Sequence, residues 1–206
     1  MCDEVEMKLF IVTFAALLAA PAFAAPATID DVRASLRATT TMTALFTQTA
    51  ANGGAVTGKL LLARPGKVRF QYDKAPLLVV ADGKRLSVVD YEVAQVSQWP
   101  IKSTPLGVLL DNDADLARFA HVSGQVDDGV LVEARDPRHP EYGAITLTFA
   151  RNAAAPGGLT LVGWTSLDAQ NNRTEISLRE VKYNVAVAGS SFAFRDPRNH
   201  ALPGKN

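Results

Sequence analysis

Apolar residues at positions 29, 32 and 36 recur at the three-to-four spacing of a helix. Ile29, Val32 and Leu36 would form one stripe of a helix over residues 29–38. Thr28 can cap it, and Asp30 and Asp31 stand in its first turn, where the helix dipole favours anions. From Thr39 the period drops to two. Met42, Ala44 and Phe46 alternate with Thr43, Leu45 and Thr47, the pattern of a strand over residues 39–49. The turn Asn52-Gly53-Gly54 leads to a second strand over 56–63, and Val68, Phe70 and Tyr72 alternate with charged and amide residues in a third. Strands over 77–81, 86–90 and 93–99 follow. Thr104-Pro105-Leu106 then opens a short helical run, 106–110, and Asp113 can cap another over 114–119. Strands resume at 120–126, 130–134, 145–149, 159–166 and 174–187. In the last of these the apolar parity shifts from Ile176 and Leu178 to Val181 and Tyr183, which predicts a bulge near Glu180. The whole reads as mainly β: about eleven short antiparallel strands in one strongly bent sheet or half-open barrel, with a helix before it and two short helices in the middle.

Several strands are apolar on both faces, among them Leu60-Leu61-Leu62, residues 77–80, and Leu159, Leu161, Val162 and Trp164. A sheet with one wet face alternates more cleanly. Something covers the inside, the outside or both: helices packed on a closed core, or helices forming a lid over a cavity. Arg64 ends one of these strands, just before Pro65-Gly66. Without a bulge it shares a face with Gly58, Leu60 and Leu62. Either it looks into an apolar space and needs carbonyl or carboxylate partners, or it snorkels out to water.

The segment before residue 25 has a different character. Lys8 precedes an apolar run over residues 9–20, then Pro21 and Ala22-Phe23-Ala24. A positive start, a short apolar stretch and an Ala-x-Ala end are the parts of a cleavable secretory signal. As a helix the run would cover about 18 Å, short of a hydrocarbon core of about 30 Å. Residues 1–24 are therefore expected to be signal peptide and upstream residues, with either Met1 or Met7 as the start, and 25–206 a single domain. The only cysteine is Cys2, and Ala25 follows the signal where a lipidated cysteine would stand. The exported domain would thus be held by packing and backbone pairing, and would not itself carry lipid.

Lys plus Arg and Asp plus Glu number 21 each, so the net charge is zero. That excludes the concentrated basic character of a nucleic-acid binder. His121, His139 and His200 form no His-Glu-x-x-His pair, and no metal site is expected. Asp111-Asn112-Asp113-Ala114-Asp115 resembles the start of a calcium loop, but Leu116 stands where the loop needs glycine, so it reads as an acidic helix start. No nucleophile elbow, phosphate loop or dinucleotide fingerprint occurs. An enzyme is not expected, nor a cofactor.

A set of short motifs, in order along the chain, carries a family resemblance. They are Phe46-Thr47-Gln48, Gly58-Lys59-Leu60-Leu61-Leu62, Arg64-Pro65-Gly66-Lys67-Val68-Arg69-Phe70-Gln71-Tyr72, Val80-Ala81-Asp82-Gly83-Lys84, Thr104-Pro105-Leu106 and Phe192-Ala193-Phe194. Together they resemble the periplasmic outer-membrane lipoprotein carrier family, LolA, across roughly residues 29–197. The resemblance implies an incomplete antiparallel β-barrel of eleven strands covered by short α-helices. It implies a periplasmic monomer that takes acylated lipoproteins from an inner-membrane ABC-type release complex. The cargo's acyl chains would be shielded in a cavity and delivered to an outer-membrane receptor. The cavity is expected to be lined by Phe46, Leu60, Leu62, Val68, Phe70, Tyr72, Leu147, Phe149 and Trp164. The lid would carry Ile29, Val32, Leu36, Leu106, Leu109 and Leu110, with Arg64 as the latch that holds the ligand-free form closed through lid backbone. Related lipid-carrying and stress-sensing proteins share the fold, so a lipid-sensing or regulatory interaction module is the alternative function. Two departures stand out. The family's better-known members continue after Phe-x-Phe with Pro-Pro-Gly and an apolar strand, whereas Arg195-Asp196-Pro197-Arg198-Asn199-His200 follows here. Phe70 also replaces an indole on the third strand.

Overall fold

The computed structural model describes residues 26–199 except 105, 111–118, 127–128 and 169; the side chains of residues 108, 109 and 126 are also outside the description. The signal segment, the acidic stretch 111–115, the second helical run before Phe119, and His200 lie outside the described residues. Helix α1 (Ile29–Ala38) is followed by β1 (Thr41–Ala50), β2 (Ala55–Ala63), β3 (Lys67–Tyr72), β4 (Leu77–Asp82), β5 (Arg85–Asp90) and β6 (Gln95–Pro100). A one-turn helix α2 (Gly107–Leu110) precedes β7 (Ala120–Val126), β8 (Gly129–Ala134), β9 (Ala144–Arg151), β10 (Leu159–Leu167) and β11 (Arg173–Tyr183). All eleven strands join one sheet in the order β6-β5-β4-β3-β2-β1-β11-β10-β9-β8-β7. Every neighbouring pair is antiparallel. The first and last strands meet at the centre, and two arms of hairpins run outward from them.

The sheet curls strongly. Three strands separate β3 from β10, so in a flat sheet Phe70 and Trp164 would stand about 19 Å apart at ~4.8 Å per strand. Their ring centroids are 6.0 Å apart. Helix α1 closes the concave side against β10 and the Pro156–Gly158 turn. Thr28 and Asp31 form a reciprocal capping box at its start, and Val32, Ser35 and Leu36 are its buried face. Ser35 Oγ donates to the Leu159 carbonyl at 3.0 Å. Gly157, at φ 64°, lets the turn approach: a Cβ there would lie 2.6 Å from Ser35 Cα.

At three strand boundaries the difference from the sequence reading has a clear local cause. Thr39 caps α1 and its hydroxyl donates to the Ser35 carbonyl, so β1 starts at Thr41. β6 starts at Gln95 because Ala94 turns the chain at φ 51°. β11 stops at Tyr183, short of residue 187, because Asn184 adopts φ 54°. Its amide bonds the Ala38 carbonyl and the Thr40 N–H, tying the helix end to the sheet. The predicted bulge is present. Between Thr43 and Leu45 the β11 partner jumps from Lys182 to Arg179, and Glu180 has φ 52°.

Strands apolar on both faces have two explanations, and one of them was invisible in the pattern. In β10 a second bulge at Val162 resets the parity, so Leu161 and Trp164 both face the concave core opposite Phe149 and Leu147. In β2, β4 and β5 both faces are truly covered. Leu60 and Leu62 point inward, while Leu61, Leu78, Val80 and Val89 face a second cluster under Val187, Phe192 and Phe194. The segment after β11 therefore crosses the convex side as a strap. Arg69 Nη1 donates to the Ser191 and Ala193 carbonyls at 3.2 and 3.1 Å, and Lys67 Nζ lies 6.0 Å from the centroid of the Phe192 ring. Beyond Phe194 the described chain makes a 3-10 turn at Pro197–Asn199 and no strand.

Gly58 faces Phe46 on one side and Tyr72 on the other. A Cβ there would stand 2.6–2.7 Å from the Phe46 ring and closer still to the Gln71 carbonyl. Gly58→Ala should lower stability by about 1–3 kcal/mol through overpacking. Urea unfolding checks this, and an unchanged midpoint would mean that the ring and strand yield freely.

An apolar concave face and the pocket at its mouth

The concave face carries an aromatic chain of contacts. Phe46 meets Phe70 edge-on at 5.4 Å and 76°, and Tyr72 at 5.2 Å and 87°; Phe70 meets Trp164 at 77°. Such edge-to-face pairs add to the energy of area burial. Phe46 reaches this position because Gly58 leaves its partner slot empty. Tyr72 Oη donates to Gln48 Oε1 at 2.7 Å, and burial pushes the Tyr72 hydroxyl up to about 12. Tyr183 Oη accepts the Leu161 N–H at 2.9 Å beside the β10 bulge, and burial raises its pKa as well.

The nine residues expected to line the cavity are all brought together, and all are buried: none is more than 7% exposed. They pack on one another and on Val32, Leu36 and Leu110. Of the remaining lid residues, Ile29 and Leu106 lie half-buried at the edge of this cluster, and the Leu109 side chain is outside the described residues. The centre of the hollow is thus filled by side chains.

Arg64 is half-buried just beyond β2. Its N–H donates to the Thr40 carbonyl at 2.8 Å. Its Nε is shielded from water. The residue borders a cavity of about 10 Å³ with Ser35, Leu36 and Thr39 of the α1 carboxyl end, and with Phe149, Leu161 and Tyr183. Of the two orientations open from sequence, this is the inward one.

Open volume lies elsewhere, at one mouth of the half-barrel. A mostly apolar pocket of about 510 Å³ sits between the β2–β3 and β4–β5 turns, the 100–104 segment, α2 and the β8–β9 loop. Its size is in the range of small-ligand sites. Pro65, Ile101, Leu110, Phe119 and Ala134 contribute apolar surface. Among the described residues, Leu110 alone of the sequence-predicted set lines it. Gly66 ties the two regions together: at φ 72° its N–H donates to the Leu110 carbonyl at 3.0 Å. Ile101, Phe119 and Tyr142 were missed because they come from three distant loops, and no periodicity links them. At the rim, Asp82 accepts the Lys84 and Arg85 N–H groups at 2.8 and 2.9 Å, which hold its carboxyl below the usual range. Among the described residues no three His, Cys, Asp or Glu side chains gather as metal ligands.

A curled sheet with a helix on its concave side, an apolar interior and a pocket at the mouth defines a half-barrel built to face apolar matter. Residues 37–195 match the family model described as outer membrane lipoprotein carrier protein LolA, and the chain belongs to that family. An outer-membrane lipoprotein carrier protein of Chromobacterium violaceum is 30% identical, over 89% of this chain and 90% of its own. The protein of the same name from Sodalis glossinidius is 31% identical, over 92% and 93%. Among solved structures, a LolA superfamily protein from Nitrosomonas europaea aligns over 82% of this chain and 98% of its own, at 10% identity and a TM-score of 0.44. The family assignment rests on the sequence matches.

Tyr72 makes a pH prediction. Its folded pKa of about 12 lies above the ordinary value of 10, so its contribution to stability is full below about pH 10 and is lost as pH rises towards 12. Tyr72→Phe should flatten the fall in stability between pH 10 and 12, and Tyr183, also raised by burial, contributes to the slope that remains. Urea midpoints across that range measure it; equal slopes in both proteins would contradict it.

Proposed function

We propose that this protein is a periplasmic chaperone for lipoproteins: it shelters their acyl chains against its concave face and carries them towards the outer membrane. The observation that carries the reading is the family match over residues 37–195. The apolar concave face and the mouth pocket of about 510 Å³ fit it physically. Each methylene removed from water contributes about 0.8 kcal/mol, so a partly shielded chain gains roughly 5–10 kcal/mol. A carrier must release that grip. A closed form with its own side chains filling the hollow competes with the cargo, because apparent affinity falls with the fraction of molecules that are open.

In this reading Arg64 is the latch. It lies between β2 and the carboxyl end of α1, where cargo entry would break its contacts. The donor is an inner-membrane ABC-type release complex and the acceptor an outer-membrane receptor, with export by the amino-terminal signal. The chain performs no covalent chemistry; the energy is spent by the donor.

Purified protein from cells should co-isolate with triacylated lipoproteins, detected by mass spectrometry of the bound fraction. Recovery of a membrane-anchored regulator without acylated cargo would instead favour a sensing module. Arg64→Leu should fold normally and either retain cargo or accept it poorly. Wild-type transfer by this variant in a crosslinking assay would remove the latch.

A further inference from the structure

The mouth pocket has a charged rim that shelter of a neutral acyl chain does not require. Lys84, Lys102 and Arg135 all line it. They come from the β4–β5 turn, the segment after β6 and the end of β8, so only the curl of the sheet brings them to one opening. None of the three has an ion-pair or side-chain hydrogen-bond partner among the described residues. Among the described residues the one carboxylate lining the pocket itself is Asp136, and it is taken: Arg138 Nε and Nη2 lie 3.2 and 3.3 Å from its oxygens, while Asp82 at the rim is held by the Arg85 and Lys84 backbone N–H groups. Among the described lining residues, positive side chains thus outnumber negative ones three to one around an apolar opening. Like charges gathered at one rim disfavour each other, and a bound anion relieves that.

The volume limits the apolar part of the ligand. At about 510 Å³ the pocket is in the range of sites that take one small, mostly apolar ligand. We propose that, beyond its role for lipoproteins, the mouth pocket binds a single long-chain fatty acid, hydrocarbon inward and carboxylate between Lys84, Lys102 and Arg135. The site is the mouth pocket of the carrier reading, and the proposal names a second, anionic ligand class for it.

The test uses delipidated protein and a fluorescent polyene fatty acid, cis-parinaric acid, as the probe. Hexadecanoic acid should displace it at concentrations at least tenfold lower than hexadecan-1-ol, which has the same chain and no charge. Raising the salt to 0.5 M should narrow that gap, because exposed charges are screened. The variant K84Q/K102Q/R135Q should close it, while Lys74→Gln, remote from the pocket, should leave it unchanged. Equal displacement by acid and alcohol overturns the proposal. So does an unchanged gap in the triple variant, with folding verified by circular dichroism. Displacement by phosphatidylglycerol vesicles at lower lipid concentration than the free acid would assign the rim to a two-chain lipid headgroup and also overturn it. Lipoprotein acceptance by the wild-type protein is measured separately. Its failure would remove the carrier reading and leave the acid-over-alcohol preference standing or falling alone.

Discussion

Pairing of β1 with β11 is the constraint from which the remaining architecture follows. It places the first and last strands side by side, so the two arms of the sheet run outward from a centre formed by the two ends of the strand series. Twist accumulated over eleven strands then curls the arms towards each other. The curl is held where β3 meets β10, by Phe70 against Trp164, and Phe70 is braced in turn by Phe46. Phe46 can lie there only because Gly58 presents no side chain.

Burial on both sides of the sheet follows from that geometry. The concave side is closed by α1, whose position is set by Ser35 on the Leu159 carbonyl and Asn184 on the Ala38 carbonyl. The convex side of β2–β5 is covered by the strap around Phe192, held through Arg69. A strand with both faces covered has no need of polar alternation, which is why β4 reads Leu-Leu-Val-Val. The convex side of β2–β5 is therefore spent on the protein's own carboxyl-terminal segment, and the mouth holds a mostly apolar open pocket.

A hollow filled by its own aromatic residues and a pocket at its edge belong together in a protein that must hold hydrocarbon and give it up. Rings that meet edge-on can be parted without breaking strong polar bonds, whereas Arg64 and the Gly66 link to Leu110 are directional contacts near the opening. In the carrier reading proposed above, apolar packing would supply affinity and these polar contacts would decide when it is available.

The elements were legible because they are local. The α1 stripe of Ile29, Val32 and Leu36, the alternation in β1 and β3, and the Glu180 bulge each follow from backbone period and parity. Membership of the lipoprotein carrier family was legible for a similar reason, since its short motifs lie in order along the chain. The Val162 bulge was not legible, because a run of apolar residues hides a change of parity. Nor was the covering strap, whose partners are some 120 residues away. The nine residues read as cavity lining do share the concave face, but period cannot distinguish a face that lines open space from one that packs on itself. The mouth pocket with its three cations was decided by tertiary structure alone. Loops far apart in the chain become neighbours only when the sheet curls, and curl is a property of all eleven strands together and of no single one.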